Sequence, residues 1–188
     1  PLWQHERSFF MSQSKKVAVL GMLSAMCAVL GYISIDFANL RFTFVSFPVY
    51  IGAFLCGGIE GLLIGFVGNF IYQLLKFGVT ATTVLWIIPY AAAGFVAGRY
   101  AMSKNFNLTS KQTLFILIVC EVMISILNTI SFFIDAKIYG YYNPVTMFGA
   151  IPMRFVNTFI RAFIYYAVIP TVMQAVRRVM KGSIRENA

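Results

Sequence analysis

From Lys16 to Arg177 the chain is a succession of long apolar runs separated by short polar breaks. A helix needs roughly 20 mainly apolar residues to cross the ~30 Å hydrocarbon core of a bilayer. Six such spans are predicted, at 15–35, 42–58, 59–76, 82–101, 112–134 and 148–176. None shows the alternation of a barrel strand, and lipid admits only helices or closed barrels as spanning backbone. At 60% hydrophobic and 11% charged over 188 residues, the chain carries too little charge to cover a water-soluble globule. The expected class is an all-α integral membrane protein. It has one six-helix membrane domain over 15–178, with tails at 1–14 and 179–188.

The breaks between spans have recognisable chemistry. Gly57-Gly58 makes a tight reversal, Gly78 and Thr80-Ala81-Thr82-Thr83 part the third span from the fourth, and Asn143-Pro144 marks a turn before the sixth. Cations then orient the bundle. With six spans, ten of them (Arg7, Lys15, Lys16, Arg99, Lys104, Lys111, Arg177, Arg178, Lys181 and Arg185) share one side, and Arg41, Lys76 and Lys137 take the other. Positive charge accumulates on the cytoplasmic side, so both termini are expected in the cytoplasm. The net charge of +9 is then mostly topological and gives no reason to invoke nucleic acid. The first 16 residues lack an apolar core and read as a tail rather than a cleaved signal.

Little in the sequence supports catalysis or a metal. The single histidine, His5, lies in the tail, and Cys27, Cys56 and Cys120 sit in apolar runs without C-x-x-C spacing. The glycine-rich GGIEGLLIGFVGN lacks the lysine of a phosphate-binding loop, so the chain has no ATP site of that kind. No enzyme activity, cofactor or metal is expected.

The informative residues are polar ones deep in the spans. Arg154, Asn157 and Arg161 follow one another at i, i+3 and i+7, on one face of the sixth helix. An arginine near the bilayer centre costs roughly 2.5–3.5 kcal/mol unless it faces protein, water or an anion. Glu121, Ser125, Asn128 and Asp135 form a matching stripe on the fifth span, and Glu121 is a candidate partner for Arg161. Asn69 and Gln73 share a face of the third span. Trp86 and Tyr90 lie on the outer half of the fourth, where an aromatic belt and a stacking platform are both open readings. The segment DFANLRFTF (36–44) offers Arg41, Phe42 and Phe44 as an external lid. Together these residues suggest an outward-facing pocket for a flat heteroaromatic anion. In the first span Gly21 and Ala25, and Ser24 and Ala28, are small residues four apart, a pattern that lets helices approach closely.

With these residues in view, the chain resembles the substrate-binding S components of energy-coupling factor (ECF) vitamin transporters, and most of all the folate group. The likeness rests on six short spans, small residues in the first, the glycine reversal after the second, Leu127-Asn128-Thr129, and Ile151-Pro152-x-Arg154. It departs at Gly68-Asn69, where that group often has Gly-Asp. The resemblance implies a protein of the bacterial cell membrane that captures a vitamin from outside. It would then dock through the first span on a membrane scaffold protein driven by two ATPases. For folate, it places Asn128 and Asn69 on the pterin edge and Trp86, Phe42 and Phe44 in stacking. Arg154, Arg161 or Arg41 would meet the carboxylates. Riboflavin, thiamin or pantothenate remains an alternative ligand, and a six-span scaffold protein without transport is a further alternative.

Overall fold

The computed structural model describes residues 13–37, 40–149 and 151–185, with side chains over 13–34, 42–145, 147–149 and 151–176. Helix α1 (Gln13–Tyr32) leads into a two-stranded antiparallel ribbon, β1 (Ile35–Phe37) and β2 (Leu40–Phe42), in which Ile35 faces Phe42. Then follow α2 (Ser46–Cys56), α3 (Gly58–Phe77), α4 (Thr83–Ser103), α5 (Ser110–Ile138), the short α6 (Pro144–Gly149) and α7 (Ile151–Arg185). Among the described residues five helices, α1, α3, α4, α5 and α7, are long and apolar enough to cross a membrane.

The second predicted span, 42–58, is only partly helical. Its helical part has 11 residues, about 16 Å at 1.5 Å per residue, against a ~30 Å core. The residues before it are spent on β2 and a short connection. Helix α2 is apolar on all sides because it is enclosed on all sides: Val49, Tyr50 and Ala53 are fully buried. A hydrophobic run that is uniform around the helix marks a buried helix as readily as a lipid-facing one. The ribbon also ends the first helix at Tyr32, short of the expected 35.

Polarity is distributed for a lipid solvent. Leu63, Phe66, Ile126, Ile130 and Phe163 are exposed, while Asn69, Glu121, Thr158 and Arg161 are buried. Helix α5 starts where it does because Thr109 and Gln112 form a reciprocal cap. The Gln112 backbone N–H reaches Thr109 Oγ1 at 3.4 Å, and the Thr109 N–H reaches Gln112 Oε1 at 3.0 Å.

The tightest packing joins α3 to α4. A Cβ on Gly61 would lie 2.5 Å from the Gly94 carbonyl oxygen, and one on Gly65 would lie 2.5 Å from that of Tyr90. These backbones touch because no side chain separates them. The chain reverses into α3 at Gly57, whose φ of 122° suits glycine alone. Gly61→Ala is expected to destabilise the bundle by about 1–3 kcal/mol, the usual cost of overpacking. Gly21→Ala, with nothing within 4 Å of the added methyl, should melt at or slightly above the wild-type temperature in detergent. Equal melting of the two variants would contradict the close α3–α4 contact.

Candidate ligand-binding site

At the ribbon end of the bundle lies a cavity of about 690 Å³, within the range of small-molecule sites. Tyr72 and Gln73 line it from α3, Trp86 and Tyr90 from α4, and Ser125, Asn128, Phe132 and Asp135 from α5. Helix α7 contributes Arg154, Asn157 and Arg161, and Thr43, Phe77, Thr80, Thr82, Tyr139 and Tyr141 come from the connections and helix ends. The α5 residues recur at spacings of 3, 4 and 3 and the α7 residues at 3 and 4, so each set is one helical face turned inward.

The floor is a buried charge cluster. Arg161 Nη2 stands 3.0 Å from Glu121 Oε2, and Glu121 is fully buried. Glu121 Oε1 accepts hydrogen bonds from Ser46 Oγ at 2.8 Å and Tyr50 OH at 2.9 Å. The Ser46 proton is thus committed, so the Tyr165 hydroxyl, 3.0 Å from Ser46 Oγ, is the donor of that pair. The cluster ties α2, α5 and α7 together. Arg161 Nε and the Oδ1 atoms of Asn128 and Asn157 are buried without a hydrogen-bond partner. Groups left so in a dry interior are expensive, which makes them candidates for bonds to a ligand.

Nearer the mouth, Asp135 accepts from the hydroxyls of Thr82 and Tyr141 and so links α4, α5 and the α5–α6 turn. Burial first, and then the Asp135 carboxylate, push the Tyr141 phenol up to about 12, so it stays a donor across the physiological range. Arg154 donates from Nη1 to Thr129 Oγ1 at 3.3 Å, a long bond, and its guanidinium lies 5.1 Å from the centre of the Phe132 ring. Among the described residues no carboxylate pairs with Arg154.

Of the residues singled out from sequence, Gln73, Trp86, Tyr90, Asn128, Arg154, Asn157 and Arg161 line this cavity. Arg161 does so while paired with Glu121. Asn69 does not line it. It is fully buried behind the wall, where Nδ2 donates to the Trp86 carbonyl at 2.6 Å. Phe42 and Phe44 do not line it either: they pack edge to face at 5.2 Å, and Phe44 meets Tyr165 at 6.2 Å. Successive side chains of an extended segment point to opposite sides, so Thr43 faces the cavity where a phenylalanine was expected. The Arg41 side chain lies outside the described residues. The small-residue patch of α1 is divided: Ser24 and Ala28 are buried within the chain, whereas Gly21 and Ala25 are exposed.

Ser125 and Asp135 belong to the α5 stripe and line the cavity with it. Other wall residues carry no sequence signal. Tyr139 and Tyr141 lie in an aromatic turn without periodicity, and nothing in the sequence pointed them inward.

The family model described as "ECF transporter, substrate-specific component" matches residues 15–173. The chain belongs to this family. The S component is 25% identical over 138 residues to the riboflavin transporter RibU of Staphylococcus aureus (strain TCH60), covering 71% of this chain and 72% of RibU. Two solved structures share its fold. One, described as the S component of a bacterial ECF transporter, has a TM-score of 0.68 at 23% identity, over 90% of this chain and 99% of the other. The second is FolT bound with folic acid, with a TM-score of 0.61 at 17% identity, over 89% and 97%. The chain is therefore a multi-pass membrane transport component, not an enzyme.

In this S component breaking the Glu121–Arg161 pair at the cavity floor is expected to be costly. Glu121→Ala leaves a buried guanidinium without its counter-charge, at a cost of about 3–5 kcal/mol. The double variant Glu121→Ala/Arg161→Met should recover most of that loss in detergent melts. A double variant no more stable than the single one would contradict the pairing.

Proposed function

We propose that this S component binds folate, captures it from outside the cell, and delivers it with an ECF scaffold protein and two ATPase subunits. The observation that carries the ligand reading is Arg154: a guanidinium in a cavity wall, with no carboxylate paired to it among the described residues. It asks for an anionic group on the ligand. Around it, Trp86, Tyr90 and Phe132 supply aromatic surface for a flat ring. The unpartnered amide oxygens of Asn128 and Asn157 suit ring N–H and amino donors. Folate combines these features, with a pterin at one end and glutamate carboxylates at the other.

Six membrane crossings with both termini cytoplasmic are part of this reading. Lys16 near the start of α1 is ion-paired with Glu60 near the start of α3, which supports both helices starting on one side. The chain between them then crosses and returns, with short α2 as the returning segment. The cations support placing that side in the cytoplasm. The cavity then opens outward, and exposed Gly21 and Ala25 remain available on α1 for the scaffold.

Riboflavin is the second reading, favoured by the relative named as a riboflavin transporter. It is flat and hydrogen-bonding, but it has no anionic group for Arg154. The deciding experiment is mass spectrometry of the vitamin released from the purified protein, followed by titration with folate and riboflavin. Folate should be released and bound. Arg154→Ala should weaken folate by about 10–100-fold, the range for a hydrogen bond to a charged group. Release of riboflavin, or a folate affinity indifferent to Arg154→Ala, would overturn the folate assignment.

A further inference from the structure

Helix α4 is broken chemically at Pro89, one residue before Tyr90 and three after Trp86. Proline has no N–H, so the Leu85 carbonyl, four residues earlier, loses its helical donor. In a membrane interior such a carbonyl needs another partner, and hydroxyl side chains of neighbouring helices are one source. Ser131 of α5 supplies it: its Oγ lies 2.8 Å from the Leu85 carbonyl oxygen and is 4% exposed as a residue. The same hydroxyl proton is shared with the Leu127 carbonyl of its own helix, at 2.9 Å. The Ser131 N–H is the i+4 donor to Leu127 in α5, whereas the i+4 position of Leu85 is a proline. One residue further along α4, the Trp86 carbonyl accepts from Asn69 Nδ2 of α3 at 2.6 Å.

We propose that Ser131 and Asn69 are positioning residues for ligand binding: from opposite neighbours they hold the two α4 carbonyls beside the proline break and so fix the Trp86 indole in the cavity wall. Neither lines the cavity. Asn69 therefore acts on the ligand through Trp86 rather than by touching it. A proline in this wall is useful because it frees a carbonyl that a second helix can grip, and the grip sets the rotation of α4 at the residue facing the ligand. The role at the ligand rests on folate as the ligand; the role in fixing Trp86 does not.

The test uses a Trp3→Phe background, in which Trp86 is the sole tryptophan of the two in the chain. Emission of Trp86 is recorded without ligand in detergent, and folate is then titrated. Ser131→Ala and Asn69→Ala should each shift the ligand-free emission and weaken folate by about 3–10-fold, the worth of one hydrogen bond. Ser131→Thr, which keeps the hydroxyl, should restore both. In Pro89→Ala the Leu85 carbonyl regains its helical N–H, so adding Ser131→Ala should have a much smaller effect there. Unchanged emission in Ser131→Ala and Asn69→Ala would overturn the proposal, as would an effect of Ser131→Ala that is equal with alanine or proline at 89. Lower melting with wild-type emission and folate affinity would reduce both bonds to structural ones and also overturn it. If folate fails to bind the wild type, the ligand assignment falls, and the ligand-free emission still decides whether these residues position Trp86.

Discussion

A hydrocarbon solvent offers no hydrogen bonds, so every charge drawn into this bundle must be answered by the protein or by what the protein binds. The Arg161–Glu121 pair meets that demand most completely. Its carboxylate is gripped by Ser46 and Tyr50 on one oxygen and faces the guanidinium at 3.0 Å on the other. Three helices converge on it, including the short α2, which is enclosed by its neighbours. Such a cluster favours stability less than it favours one arrangement, since removing either partner strands the other. It gives the cavity a fixed floor.

The remaining walls follow from how closely the helices can approach. Glycines bring α3 and α4 into backbone contact along one flank, with Gly61 against Gly94 and Gly65 against Tyr90. The opposite flank of α4 meets α5, where Ser131 reaches the Leu85 carbonyl and Cys120 the Ala93 carbonyl. The cavity lies where α3, α4, α5 and α7 face one another. At its mouth Asp135 draws Thr82 and Tyr141 together, which ties the start of α4 to the turn after α5. Close packing on one side and a charged floor below thus define a space without requiring any single helix to be bent around a ligand.

Much of this was legible in the sequence where periodicity carried it. The stripes Arg154-Asn157-Arg161 and Ser125-Asn128-Asp135 could be assigned to helical faces, and those faces do meet across the cavity. The partnership of Glu121 with Arg161 was likewise readable from depth and charge. What could not be read was the environment of uniformly apolar or non-periodic segments. The run at 42–58 has the hydropathy of a span, yet enclosure by its neighbours explains its apolarity equally well. Asn69 and Gln73 share a face, but a single helical turn of depth puts one behind the wall and the other in it. Phe42 and Phe44 were displaced from the site by the two-residue alternation of extended chain, a pattern invisible while the segment was read as helix and loop.

The two arginines of α7 show how one helical face can serve two purposes. They are seven residues apart, about 10 Å along the axis. Arg161 has its counter-charge within the protein whether or not a ligand is present, although its Nε lacks a partner. Arg154 has a hydroxyl at 3.3 Å and the face of Phe132, which stabilise a guanidinium without neutralising it. An anion entering the cavity therefore gains more at Arg154 than at Arg161, because a charge already paired has less left to offer. The difference also bears on release. A ligand held by the incompletely satisfied arginine leaves behind a group that Thr129 and Phe132 can still partly support, whereas withdrawal from an arginine without any support would strand a bare charge.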